Sequence, residues 1–150
     1  MNIEKSPCNP FTECFRIKAK RSTGMKLLLF AALDDDQTRL ENCVQGLAQN
    51  IGYDVIGSFD TLNKQLCRYR NSYALAVVLI AGREELDEIL SIDKLFNGLK
   101  TIVIVPDRKP ETISAALKLH PRYISYRDGD FRDVALVVSH MMNKLKMSQQ

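Results

Sequence analysis

Three runs of almost uninterrupted apolar residues constrain this chain more than anything else in it: LLLFAAL at 27–33, ALAVVLIA at 74–81 and TIVIV at 101–105. A strand that is apolar at every position must be covered on both faces, and helices packed on either side of a parallel sheet supply that cover. The intervening sequence fits. From Met25 onward, β-type runs at Lys26–Leu33, Tyr53–Phe59, Ala74–Ala81, Lys100–Val105 and Arg122–Tyr126 alternate with segments whose apolar residues recur three or four apart. The first such segment uses Leu40, Val44, Leu47 and Ile51 and ends at Gly52; the second uses Leu62, Leu66 and Tyr69. The third uses Leu86, Ile89, Leu90 and Phe96 and stops at Asn97-Gly98; the fourth, opened by Pro110, uses Ile113, Ala116 and Leu117. The last uses Phe131, Val134, Val138, Met141 and Leu145.

Strands alternating with single helices predict an α/β sheet with right-handed crossovers. The polarity of each strand refines this. YDVIGSF and RYISY are mixed, as edge strands are, whereas the three runs above read as central. Strands one, three and four in the middle, with two and five outside, give the order 2-1-3-4-5. That is a flavodoxin-like doubly wound sheet of five parallel strands with helices on both faces.

At 150 residues the chain holds one domain with a real core. Its formal charge of +3 is concentrated at one end, since residues 1–24 carry five basic and two acidic side chains and the remaining 126 carry sixteen of each. The division expected is a flexible basic arm over 1–24 and a domain over 25–150. FRIKAKR, in the arm, interleaves Phe15 and Ile17 with four cations, but so few charges bind nucleic acid weakly at physiological salt. No nucleic-acid or membrane partner is expected.

Cys8, Cys14, Cys43 and Cys67 form no C-x-x-C pair or cysteine–histidine cluster, and Cys43 and Cys67 read as buried free thiols in a reducing compartment. The apolar run at 27–33 is short and meets three aspartates with no cleavage site, so it reads as a strand and not as a secretory signal. A cytoplasmic location is the expectation.

The acidic cluster Asp34-Asp35-Asp36 after the first strand and GYDV opening the second, set in this alternation, make residues 25 to about 146 resemble the receiver domain of bacterial two-component response regulators. Receivers accept a phosphoryl group from a histidine kinase. The resemblance implies an acidic pair after strand one that holds magnesium, an aspartate nucleophile ending strand three, a hydroxyl ending strand four and a lysine ending strand five. A transferring phosphoryl group spreads negative charge over its oxygens, which a metal and fixed cationic donors must meet in line.

Position by position, this chain departs from that set. The acidic pair falls on two of Asp34, Asp35 and Asp36, or on Ala31 and Ala32 when the strands are matched from Lys26. The aspartates equally suit a helix N-terminus, where carboxylates cap backbone N–H groups, and capping is preferred to metal binding. The nucleophile position falls on Ile80 or Ala81, the hydroxyl on Val105 or Pro106, and the lysine on Tyr126 or Arg127. Glu84, Glu85 and Asp87 read as first-turn helix carboxylates beyond the crevice. A degenerate, pseudo-receiver form follows, with no catalytic residue, no cofactor and no enzymatic activity expected.

The function this favours is signal transduction by phosphorylation-independent contact with a protein partner, a homodimer being one arrangement. In the family, partners dock near helix four, strand five and helix five. Here that region carries Tyr123, Tyr126, Arg127, Phe131 and Arg132, tyrosine and arginine being enriched in interface hot spots. The same residues also read as core contacts and solvated charge. Helix five adds an apolar band with Val137, Met141 and Met142. Two alternatives remain: a phosphorylatable single-domain regulator with a non-standard acceptor, and a flavodoxin-like binder of small molecules. Against the latter, no G-x-G-x-x-G or Walker lysine is present.

Overall fold

Side chains on alternate positions of the central strands belong to two different hydrophobic clusters, as an all-apolar parallel strand requires. Leu27, Leu29, Leu75, Val77, Leu79, Ile102 and Ile104 face one side; Leu28, Phe30, Ala76, Val78, Ile80, Val103 and Val105 face the other. The computed structural model describes residues 15–18, 26–47, 52–69 and 72–148.

Its strands are β1 (Phe15–Lys18), β2 (Lys26–Ala31), β3 (Tyr53–Ile56), β4 (Tyr73–Leu79), β5 (Lys100–Val105) and β6 (Tyr123–Tyr126). Its helices are α1 (Asp34–Leu47), α2 (Phe59–Tyr69), α3 (Arg83–Leu90), α4 (Pro110–Leu117) and α5 (Arg132–Ser148), with a short 3-10 turn at Asp93–Phe96. The sheet runs β1-β3-β2-β4-β5-β6. Strands β3, β2, β4, β5 and β6 are parallel, the expected 2-1-3-4-5 order counted from β2, with registers such as Leu29↔Val55, Leu29↔Val77 and Val78↔Val103. Helices α1 and α5 cover one face through Leu40, Val44, Val134 and Val138. Helices α2, α3 and α4 cover the other through Leu62, Leu66, Leu86, Ile89, Ala115 and Ala116.

The structure corrects three readings. First, the sheet has a sixth member. Phe15–Lys18, inside the stretch expected to be an irregular arm, forms β1 and pairs antiparallel with β3 from Phe15↔Ile56 to Lys18↔Tyr53. Four residues are too few to show periodicity, and the strand exists through its partner. The rest of the arm and Ile51 lie outside the described residues. As a result β3 is not an edge, and Tyr53, Asp54, Val55 and Ile56 are all buried. Second, the third helical pattern is broken. The amide of Ser91 meets both Asp87 O and Glu88 O at 3.1 Å, and its hydroxyl donates to Glu88 O, which tightens and ends α3 before the 3-10 turn. Third, Cys67 is exposed and Cys43 half-buried. Cys67 follows buried Leu66 by about 100° around α2, which takes it off the apolar stripe.

Candidate functional site

In open parallel sheets the ligand crevice lies beyond the carboxyl ends of the strands, where the order reverses. Here the reversal is between β2 and β4. The chain leaves β2 at Ala31 and turns through Ala32 and Leu33 into α1, while β4 ends at Leu79 and Ile80-Ala81-Gly82 leads into α3. Ile80 is buried, its amide bonded to Ile104 O at 2.8 Å, so it continues the sheet. A Cβ added at Gly82 would meet nothing within 4 Å, so no crowding dictates glycine there.

The charged group inside this crevice is an ion pair. Asp36, in the first turn of α1 and 2% exposed, accepts from Arg127 Nε at 2.9 Å. Arg127 follows β6, its own amide bonded to Val105 O at 2.9 Å. Arg39, one turn along α1, sits 3.7 Å from the other Asp36 oxygen and donates to the carbonyls of Arg127 and Gly129. Its guanidinium also stacks 4.3 Å from the centroid of Phe131. Phe131 holds a left-handed backbone at φ 66°, rare for a bulky residue. The buried ring and the arginine above it fix that turn into α5.

Glu85 completes the site. Its carboxylate reaches back from α3 to accept the amide of Ala81 at 2.8 Å. Burial pushes the Glu85 carboxyl up, the Ala81 hydrogen bond opposes this, and neighbouring Asp36 and Arg127 pull in opposite directions. On the β3 side, Gln37 donates to Ala31 O at 2.7 Å, and its amide lies where a Cβ on Gly57 would come within 2.5 Å. The arrangement is a self-satisfied polar lid. Each of its charges already has a partner, and Ile80 and Ala81 supply no nucleophile.

Among the expected metal ligands, Asp34 and Asp35 are exposed at the start of α1 and Asp36 alone turns inward. No group of three metal-ligating side chains occurs among the described residues. The expected interaction surface divides. Phe131 is fully buried and is a core residue, a correction that follows from its place beneath Arg39. Arg127 is held by Asp36, so its charge is committed inward. Tyr123 donates to Asp133 Oδ2 at 2.9 Å, which holds its hydroxyl above the ordinary range. Tyr126 lies under Arg108 at 4.1 Å from its centroid, and Arg132 is exposed. In α5, Met142 is buried and Val137 and Met141 pack against the core, while Leu136 is exposed.

Sequence reasoning missed Gln37, Arg39 and the inward turn of Glu85. The last had a local signal: with Gly82 as N-cap, Glu85 is the third helical residue, whose carboxylate reaches back to the amides at the helix entry. The Asp36–Arg127 pair, 91 residues apart, had none.

No protein-family model and no curated protein sequence matches this chain. Solved structures do. A CheY-like response regulator receiver domain protein from Methanospirillum hungatei superposes with a TM-score of 0.62 at 16% identity, covering 83% of this chain and 98% of its own. A two-component response regulator from Clostridium difficile gives 0.64 at 11% identity, covering 81% and 98%. A pilus assembly-related protein from Burkholderia pseudomallei gives 0.61 at 13% identity, covering 83% and 96%. At these identities the likeness is one of fold. The chain has the architecture of response regulator receiver domains.

Proposed function

We propose that this chain is a receiver-like signalling module that works by protein–protein contact and does not take up a phosphoryl group. What supports the reading is the end of β4, where Ile80 and Ala81 offer no carboxylate, while the inward aspartate, Asp36, is paired with Arg127 at 2.9 Å. An in-line transfer needs a free carboxylate nucleophile and a metal beside it. Here Asp36 is engaged by a guanidinium and Glu85 by a backbone amide. Fold and site are separable, so a sheet of this kind persists after its chemistry is lost.

The contact surface in this reading is the flank around the edge strand β6, with α4 on one face and α5 on the other. Leu117, ending α4, and Leu136, on α5, are exposed there at 53% and 62%; Arg108 stacks over Tyr126 of the edge strand and Arg132 opens α5. The test is incubation of the chain with a small phosphodonor and magnesium, followed by intact-mass measurement. No phosphoryl adduct is expected; a stoichiometric adduct mapped to Asp36 or Glu85 would reverse the conclusion.

A further inference from the structure

At the pole of the sheet opposite the crevice, before β5 and β6, the surface sinks into a groove of about 350 Å³. The crevice and the groove are separated by the length of β5, six residues and so about 17 Å at roughly 3.3 Å per residue. Lys94, Lys100, Lys118 and Arg122 line it against a single carboxylate, Asp93. Beyond residue 24 the chain has equal numbers of acidic and basic side chains, so this excess is local.

The pairing of the cations sets the groove apart. Arg39, Arg83, Arg108, Arg127 and Arg132 each lie 2.8 to 3.7 Å from a carboxylate. Lys100, Lys118 and Arg122 have no carboxylate within 4.0 Å among the described residues. Like charges gathered around one concavity repel each other and raise the local potential for an anion. The walls are shaped by two left-handed residues, Gly98 at φ 81° and His120 at φ 54°. His120 ends the tight turns that follow α4, its amide bonded to Leu117 O at 3.0 Å, where a left-handed residue commonly closes a helix. Buried Phe96 and Leu99 complete the lining.

We propose that this groove is a binding site for a small phosphate-bearing polyanion, held by Lys100, Lys118 and Arg122. The volume suits a small molecule. An extended nucleic acid would need a basic track running beyond the groove, whereas Arg39, Arg83, Arg108, Arg127 and Arg132, outside it, are each paired with a carboxylate.

The experiment is titration of the full chain with inorganic pyrophosphate at fixed ionic strength, by calorimetry and by amide chemical shifts. Saturable binding of one pyrophosphate per chain is expected, with shifts at Gly98, Leu99 and His120. The double variant Lys118→Glu/Arg122→Glu weakens it about tenfold or more, roughly the loss of one strong charged contact. Arg83→Glu, exposed at the start of α3 on the crevice pole, leaves it unchanged. Absence of saturable binding would overturn the proposal, as would an equal loss on Arg83→Glu, which marks general counter-ion screening. Shifts confined to Ala81 and Arg127 would also overturn it by placing the anion in the crevice.

Discussion

Replacing Tyr73 with phenylalanine removes one oxygen from the most polar buried spot in the sheet. Asp54 is 1% exposed, with Oδ1 lacking any hydrogen-bond partner and Oδ2 accepting from the Tyr73 hydroxyl. Lys26 Nζ stands at 3.4 Å from the same oxygen, and Gln65 donates to the tyrosine at 2.9 Å. Without the hydroxyl, the carboxylate keeps one long contact to a partly exposed ammonium. A hydrogen bond to a charged group contributes about 1.5–3 kcal/mol, and a buried carboxylate cannot recover it from water. Tyr73→Phe should therefore destabilise by about 2–3 kcal/mol, or about 6–9 °C in Tm for a domain of this size.

The assay is urea denaturation of four proteins: the natural chain, Tyr73→Phe, Asp54→Asn and the double variant. With the charge removed, the hydroxyl makes only a neutral hydrogen bond, so Tyr73→Phe should cost about 1 kcal/mol in the Asp54→Asn background. The pH dependence follows from the same geometry. Burial, and then the hydrogen bond to Asp54, hold the Tyr73 hydroxyl far above its ordinary value. A group raised on folding stabilises below its unfolded pKa, near 10 for tyrosine, and that stability is lost as pH climbs beyond it. Tyr73→Phe should remove up to about 1.4 kcal/mol per pH unit from that alkaline slope. A cost under about 0.5 kcal/mol in the natural background, or equal costs in both, would refute the reasoning.

Gly57→Ala should cost about 1 kcal/mol, because the new methyl displaces the Gln37 amide from Ala31 O, and the cost should vanish in a Gln37→Ala background. Asp133 is held below the ordinary carboxylate range: burial pushes it up, but hydrogen bonds from Ser125 at 2.8 Å and Tyr123 at 2.9 Å outweigh that. A carboxyl lowered on folding stabilises above its unfolded pKa and loses that contribution as pH falls through the folded value. Ser125→Ala should therefore cost about 1 kcal/mol at pH 7 by denaturant titration, and less as the pH is taken toward 3. Glu85 titrates in the opposite sense. Glu85→Gln keeps an acceptor for the Ala81 amide and removes a carboxylate that burial disfavours, so its thermal midpoint should rise relative to the natural chain as pH increases through the carboxylate range.

No helix among the described residues is long and apolar enough to cross a membrane, in keeping with the short apolar runs of the sequence. What those runs determined by themselves was the layering. A strand apolar at every position is stable only between two helical layers, so 27–31, 75–80 and 102–105 had to be central, and parallel order followed from the single helices between them. The apolar end of β4 was legible for a similar reason, since a strand end is a local feature and Ile80 and Ala81 mark it directly. What the tertiary structure decided was how distant groups answer one another. β1 takes its form from β3, which is why a strand that looked like an edge buries Asp54. The Asp36–Arg127 pair and the gathering of Lys100, Lys118 and Arg122 at one groove likewise come from parts of the chain that only folding brings together. Burial periodicity is written along a segment, whereas the partner of a charge is set by the path of the whole backbone.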